Sequence, residues 1–475
     1  MKAVGARQHA QFKSDKPTGS RWRACVLSYV LVTTVGSGCA DLMGFEEGHP
    51  YPPDSGRGAG SSTNSDAAIS PDMAGPDGPA EVALPIDGGP CTTPDPTPTK
   101  CLANTPHFCN TADYWESVAT GPCPGASTCS NGTCVCNFTN CPDGCADLTS
   151  DGRNCGTCGH DCQGGACQVG KCQPVVLASR QNHPSAIAVD ATSVYWVNRG
   201  DSFDASSSNG AVMKISIAGA PSPTPLALSQ VAPLSIAIDA TSVYWTVYAK
   251  AANAAENTGE IRKTPLGGGA ITSLATGQAS IGPLTTDPTY VYWWTYTGPG
   301  PLGGIKRVLK TGGQLLDVAG GFPSPWKIAV DSVNLYWTVG YAGQRYVVMH
   351  PISGGQSIDI IADMQPSGLA LAGSSIYWTE VATNDGSVRK GPIGGTTGDY
   401  LAMHQAGPHA LAVDATGVYW TNTDSGAIMK TDLSGSGIPI TLAAGQNTPF
   451  DITLDAGSIY WVNNAGDGSV VKLAK

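Results

Sequence analysis

The sequence predicts an all-β chain: a seven-bladed β-propeller of four-stranded blades, preceded by a disulfide-rich small module and a disordered tether. Three observations carry this. A Tyr-Trp pair recurs seven times between residues 195 and 461, at intervals of 41 to 49 residues, and repetition at such a period marks stacked supersecondary units. Each unit divides into four short apolar runs separated by Gly, Asp and Pro; in the first they are SAIAVD, SVYWVN, GAVMKISI and TPLALSQ. Four antiparallel strands in about 43 residues make one propeller blade. Fourteen of the 16 cysteines lie between Cys91 and Cys172 and none lies beyond, so the crosslinked and repeated parts are separate modules.

Composition agrees. The 475 residues include 60 glycines and 35 prolines, too many helix breakers for a mainly helical protein. The net charge of −11 excludes an overall basic nucleic-acid binder. That acidity is concentrated in residues 44–172, which sum to −11, while residues 173–475 sum to only −4.

Residues 1–39 read as an export signal. A basic stretch ends at Arg23, an apolar run follows from Ala24 to Val35, and Gly36-Ser37-Gly38 precedes Cys39. The run is short for a membrane span. Small residues directly before a cysteine resemble the bacterial lipobox, which implies lipid attachment at Cys39. The alternative is an ordinary signal peptide cut nearby. Residues 40–90 are Pro, Gly, Ser, Asp and Ala with almost no bulky apolar side chain. Such a segment buries too little surface to offset its ordering entropy and forms a tether, with a mean reach on the order of 40 Å.

Residues 91–172 hold an even number of cysteines in a short, exported segment, which reads as up to seven disulfides of undetermined connectivity. Zinc is the competing reading, because Cys155-Gly-Thr-Cys158 has ligand-like spacing and His160 is close. The stretch also resembles small cysteine-rich repeats of exported bacterial proteins.

In the propeller, residues 173–475, each Tyr-Trp pair lies on a second strand and sends its two rings to opposite faces, one toward each neighbouring blade. An aspartate stands five residues before the Tyr in six units (Asp190, Asp239, Asp287, Asp331, Asp414, Asp455), with Ala372 in the fifth. It reads as a turn cap accepting backbone N–H groups. The basic residues of the third strands read as solvated. The last unit ends after its third strand, while QPVVLASRQNHP before the first unit matches fourth strands elsewhere. An N-terminal strand at 174–179 is therefore expected to close the ring and protect two edges.

The strings YWTN (419–422), YWTE (377–380) and YWTV (244–247, 336–339) resemble the YWTD repeat of low-density-lipoprotein-receptor propellers. The chain is also similar to NHL and streptogramin-lyase-type propellers. Receptor propellers of that kind typically have six blades, so seven copies depart from the pattern. The resemblance implies a fold and leaves function to be argued from the site.

Departures from the repeat locate the candidate site. Connections between second and third strands are long in the first three units and carry Arg199, Asp201, Phe203, Asp204, Tyr248, Lys250, Glu256 and Tyr296. They share a face with the fourth-to-first-strand connections, which carry a recurring Gln-x-x-Pro together with His183, Trp326, His404 and His409. The predicted ligand-binding face is Arg199, Asp201, Asp204, Tyr248, Lys250, Tyr296, Trp326, His183 and His409, since loops on a rigid scaffold usually carry binding. No nucleophile elbow, HExxH or phosphate loop occurs, so no catalytic residue, metal or cofactor is assigned. The expected function is an exported, lipid-anchored binding module for a protein or glycan, not nucleic acid, at the outer membrane or cell surface. The alternative address is periplasmic or secreted. The alternative function is a propeller lyase or hydrolase with its site at the channel mouth.

Overall fold

A computed structural model of the chain describes residues 95–102, 105–109, 115–117, 128–130, 133–201, 208–219, 222–248, 259–296, 302–341, 344–362, 365–382 and 384–475. The expected signal segment, Cys39 and the expected tether lie outside them. Every regular element among the described residues is a β-strand. Seven four-stranded antiparallel sheets form the blades: 184–230, 233–278, 281–323, 328–362, 366–405, 408–443, and 449–474 completed by Val175–Gln181. That last strand pairs with Gly468–Ala474, setting Val175 opposite Lys472 and Gln181 opposite Gly468. The first strands of successive blades neighbour one another from blade 1 to blade 7 and back to blade 1, so the ring is closed.

The Tyr-Trp pairs build the core as their period predicts. The Tyr of each blade shares a buried cluster with the Trp of the next: Tyr195 with Trp245, Tyr244 with Trp293, Tyr292 with Trp337, Tyr336 with Trp378, Tyr377 with Trp420, and Tyr419 with Trp461. Tyr460 with Trp196 closes the circle. The recurrent aspartate is a turn cap: Asp190 Oδ1 accepts the N–H groups of Thr192 and Ser193, while Oδ2 accepts the Tyr195 hydroxyl at 2.8 Å.

The basic residues of the third strands do not lie on solvated faces as the sequence suggested. They donate to main-chain carbonyls of the following blade: Lys214 to Leu266, Lys263 to Lys310, Arg307 to Ile352, Lys390 to Leu433, and Lys472 to Ile217. Lys214, Arg307 and Lys390 also lie over aromatic rings of their own blades, with Lys214 5.3 Å from the Tyr195 ring centre. A charged donor to a carbonyl is stronger than a neutral one.

Disulfides among the described residues include Cys136–Cys145, Cys141–Cys158, Cys155–Cys167 and Cys162–Cys172, and Cys134 is disulfide-bonded as well. They overturn the zinc alternative, because Cys155 and Cys158 are both oxidised. Both His160 ring nitrogens lie 2.7 Å from main-chain carbonyl oxygens, of Cys155 and Lys475. The module packs on the propeller: Cys155, Cys162, Cys167 and Cys172 share a buried cluster with Trp461, Leu473 and Ala474.

Candidate functional site

The start of each first strand opposes the end of the second: Pro184 faces Asn198, Pro233 faces Val247, Pro408 faces Asn422 and Pro449 faces Asn463. The fourth-to-first and second-to-third connections therefore share one end of the ring, the loop face. On that face each first strand begins with two residues ahead of a core Ile or Leu. In four blades these are small or aliphatic: Ser185-Ala186, Leu234-Ser235, Gly282-Pro283 and Ser367-Gly368. In blades 4, 6 and 7 they are Trp326-Lys327, His409-Ala410 and Phe450-Asp451.

The three exceptions meet at the channel mouth. Trp326 and His409 have ring centres 6.3 Å apart with planes at 82°, an edge-to-face contact. His409 lies on Phe450 at 4.1 Å, and its Nδ1 is 3.0 Å from the Phe450 carbonyl oxygen. Lys327 of blade 4 reaches Asp451 of blade 7, Nζ to Oδ1, at 3.0 Å. The other carboxylate oxygen of Asp451 accepts the Ile187 N–H of blade 1 at 3.1 Å. The Asp451 side chain is 9% exposed and that of Lys327 is 40% exposed, so the pair is half sunk. Trp326 is 53% exposed.

The threonines that follow the Tyr-Trp pairs place these residues. Thr338 Oγ1 accepts the Lys327 N–H and donates to the Ser367 carbonyl. Thr379 bonds the His409 carbonyl, and Thr421 bonds the Ala410 N–H and the Phe450 carbonyl. Each hydroxyl thus ties its own first strand to that of the next blade and fixes where the mouth side chains begin.

Burial pushes His409 below its ordinary value, with the Phe450 carbonyl and the Asp451 charge opposing. The imidazole is therefore neutral near pH 7, its Nδ1–H donates to Phe450, and Nε2 is left as an acceptor.

The other predicted face residues sit at their own blade junctions. His183, with φ of 51°, holds Asn182 Oδ1 at 2.9 Å and donates its N–H to Ala465. The Arg199 N–H donates to the His183 carbonyl. Asp201 accepts Asn209 Nδ2 at 2.5 Å. Tyr248 packs into the core between blades 2 and 3 and accepts a bond from Ser280. Tyr296 lies edge-on to Trp294 at 4.8 Å. Asp204, Lys250, Phe203 and Glu256 lie outside the described residues. The Gln-x-x-Pro glutamines are not face residues: Gln181 Oε1 accepts Trp196 Nε1 at 3.0 Å, Gln230, Gln405 and Gln446 repeat the bond to Trp245, Trp420 and Trp461, and Gln278, outside that motif, does the same to Trp293. Their carbonyl oxygens are spent on a buried indole of the following blade.

Lys327, Phe450 and Asp451 were missed by sequence reasoning. Aligning the first strands on their core Ile or Leu would have shown large or charged residues where other units carry small or aliphatic ones. A His–carboxylate pair does exist, His404 Nδ1 to Asp385 Oδ1 at 2.9 Å, but its side chains are 78% and 74% exposed. It stands on the outermost strand of blade 5, Asp399–Gln405, away from the mouth.

No family model and no curated protein matches the chain. Among solved structures, virginiamycin B lyase from Staphylococcus aureus is similar at 16% identity and a TM-score of 0.50, over 64% of this chain and 98% of that one. A streptogramin B lyase is similar at 13% identity and 0.50, over 63% and 96%. A nidogen/laminin complex shows 20% identity and 0.37, over 44% and 83%. Likeness at these identities concerns the fold.

Proposed function

We propose that this chain is an exported, lipid-anchored binding module whose protein or glycan ligand docks on the loop face at the channel mouth, with Trp326 as its principal contact. The bonding of the mouth supports this reading most. Both Asp451 oxygens are committed, to Lys327 and to the Ile187 N–H, and His409 Nδ1 is committed to a main-chain carbonyl. No His–carboxylate hydrogen bond is present there among the described residues, so the exposed indole is presented by fixed groups rather than flanked by an acid–base pair.

Pull-down and glycan-array measurements with the full chain test it. Trp326→Ala is expected to weaken binding at least tenfold, about 1.4 kcal/mol, without lowering thermal stability. Tyr248→Ala and Tyr296→Ala should alter stability more than binding, since both rings are packed. Ligand capture that survives Trp326→Ala would place the site elsewhere. Export and anchoring rest on the basic, apolar and small-residue run ending at Cys39. Incorporation of a labelled fatty acid that disappears in Cys39→Ala is the expected result.

A lyase or hydrolase with its site at the mouth is the second reading, favoured by His409 Nε2, which has no partner among the described residues. Turnover of a bound ligand that His409→Ala abolishes while binding persists would establish it over the first.

A further inference from the structure

We infer that the ligand group seated at the channel mouth is a neutral hexopyranose ring, presented by a glycan. This rests on the reading above, that the mouth around Trp326 is the binding site, and names what it holds.

Trp326 supplies a plate: a half-exposed indole held edge-on to His409. The C–H face of a pyranose carries partial positive charge and is flat enough to lie on the negative face of such a ring. The groups beside the plate alternate in polarity. His409 Nε2 is an acceptor with no donor among the described residues. The Lys327 ammonium has three N–H groups and one recorded carboxylate partner, Asp451 at 3.0 Å. Adjacent sugar hydroxyls, each both donor and acceptor, satisfy a neighbouring acceptor and donor together.

Charge narrows the class. Lys327 and Asp451 sum to zero, and His409 is neutral. A uronate or sulfated sugar on the remaining ammonium N–H groups would set a second anion beside the mostly buried Asp451 carboxylate with one cation between them, which is costly. An amino sugar would compete with Lys327 for Asp451 and place two cations together. An aromatic peptide side chain would cover the indole but leave His409 Nε2 without a donor and the remaining Lys327 N–H groups without acceptors. A neutral sugar incurs none of these costs.

Saturation-transfer NMR with the full chain tests the inference. The probes are methyl glucoside, methyl mannoside and methyl galactoside with their short oligomers, against glucuronate and glucosamine. At least one neutral probe is expected to bind at least tenfold more tightly than either charged sugar, with transfer strongest to its ring C–H protons. Trp326→Ala and His409→Ala should each reduce binding tenfold or more, and Trp326→Phe should restore part of it. Charged sugars binding as well as neutral ones would overturn the inference. A protein captured in a Trp326-dependent manner with no sugar binding would overturn the inference and leave the binding reading standing. Sugar binding unaffected by Trp326→Ala would overturn the choice of site as well.

Discussion

A single aspartate does three jobs in most blades. Asp331 Oδ1 accepts the N–H groups of Val333 and Asn334 at 2.7 Å, and Oδ2 accepts the Tyr336 hydroxyl at 2.7 Å. The turn and the buried phenol are thereby set by one side chain. Asp331→Ala leaves two N–H groups and a hydroxyl without their acceptor and is expected to cost about 1–3 kcal/mol, read from urea denaturation. Asp239 has a second partner. Burial opposes its ionisation, but the Lys310 ammonium at 2.8 Å and the surrounding donors outweigh that and hold it well below the ordinary carboxylate range. The residue scale also shows where sequence reading stopped. The cap was legible from Asp-Ala-Thr spacing alone, because its bonds are local. The mouth was half legible: Trp326 and His409 stood out by type, while Lys327 and Asp451 stand 124 residues apart and acquire meaning only as a pair across the ring.

At the scale of the element, each blade is joined to the next by more than its apolar layer. At five of the seven joints a glutamine ending one blade's fourth strand accepts the next blade's indole N–H, and at five a basic residue on the third strand donates to a carbonyl of the following blade. Gln405 is the clearest case, receiving both Trp420 Nε1 at 3.2 Å and Asn422 Nδ2 at 3.0 Å. Gln405→Ala removes the acceptor of Asn422 Nδ2 and leaves Trp420 Nε1 only Asn422 Oδ1, and is expected to lower stability by about 1–3 kcal/mol, with ligand binding at Trp326 unchanged; thermal denaturation beside a binding measurement checks both. Between blades 3 and 4 the device is altered. Phe322 stands at the glutamine position and stacks on Trp337 at 4.6 Å, and Trp337 Nε1 has no partner among the described residues. The Gln-x-x-Pro repeat was visible in the sequence, but its partner lies in another blade, so a surface reading was the natural error. The third-strand lysines failed likewise: a strand pattern shows which side a residue faces, not that a neighbouring carbonyl waits there.

Over the whole molecule these joints close a circle, and the closure carries a pH signature. Burial, reinforced by the facing aspartate, pushes Tyr195, Tyr244 and Tyr336 from 10.0 to about 12. Folding therefore favours their protonated form. Their contribution is complete below pH about 10 and is lost as pH rises toward 12. Stability to denaturant is expected to be level through neutral pH and to fall steeply above pH about 10, with tyrosinate absorbance appearing together with loss of β circular dichroism. Phenols that titrate before the fold is lost would contradict the buried Asp–Tyr pairs. The cysteine-rich module shares in the closure: its last cysteine, Cys172, lies three residues before the closing strand, and Lys472 donates both to Gln163 in the module and to Ile217 in blade 1.

The sequence by itself determined the seven blades, their strands, the aromatic layers and the borrowed strand. Those features follow from period, alternation and turn chemistry, which are local and are written seven times over. Only the tertiary structure decided which glutamine meets which tryptophan, that the lysines are staples, that Cys155 and Cys158 are spent in separate disulfides, and that Lys327 of blade 4 pairs with Asp451 of blade 7. Each of these joins residues from different units, and a closed ring sets such distances through the geometry of all seven blades together rather than through any stretch of chain.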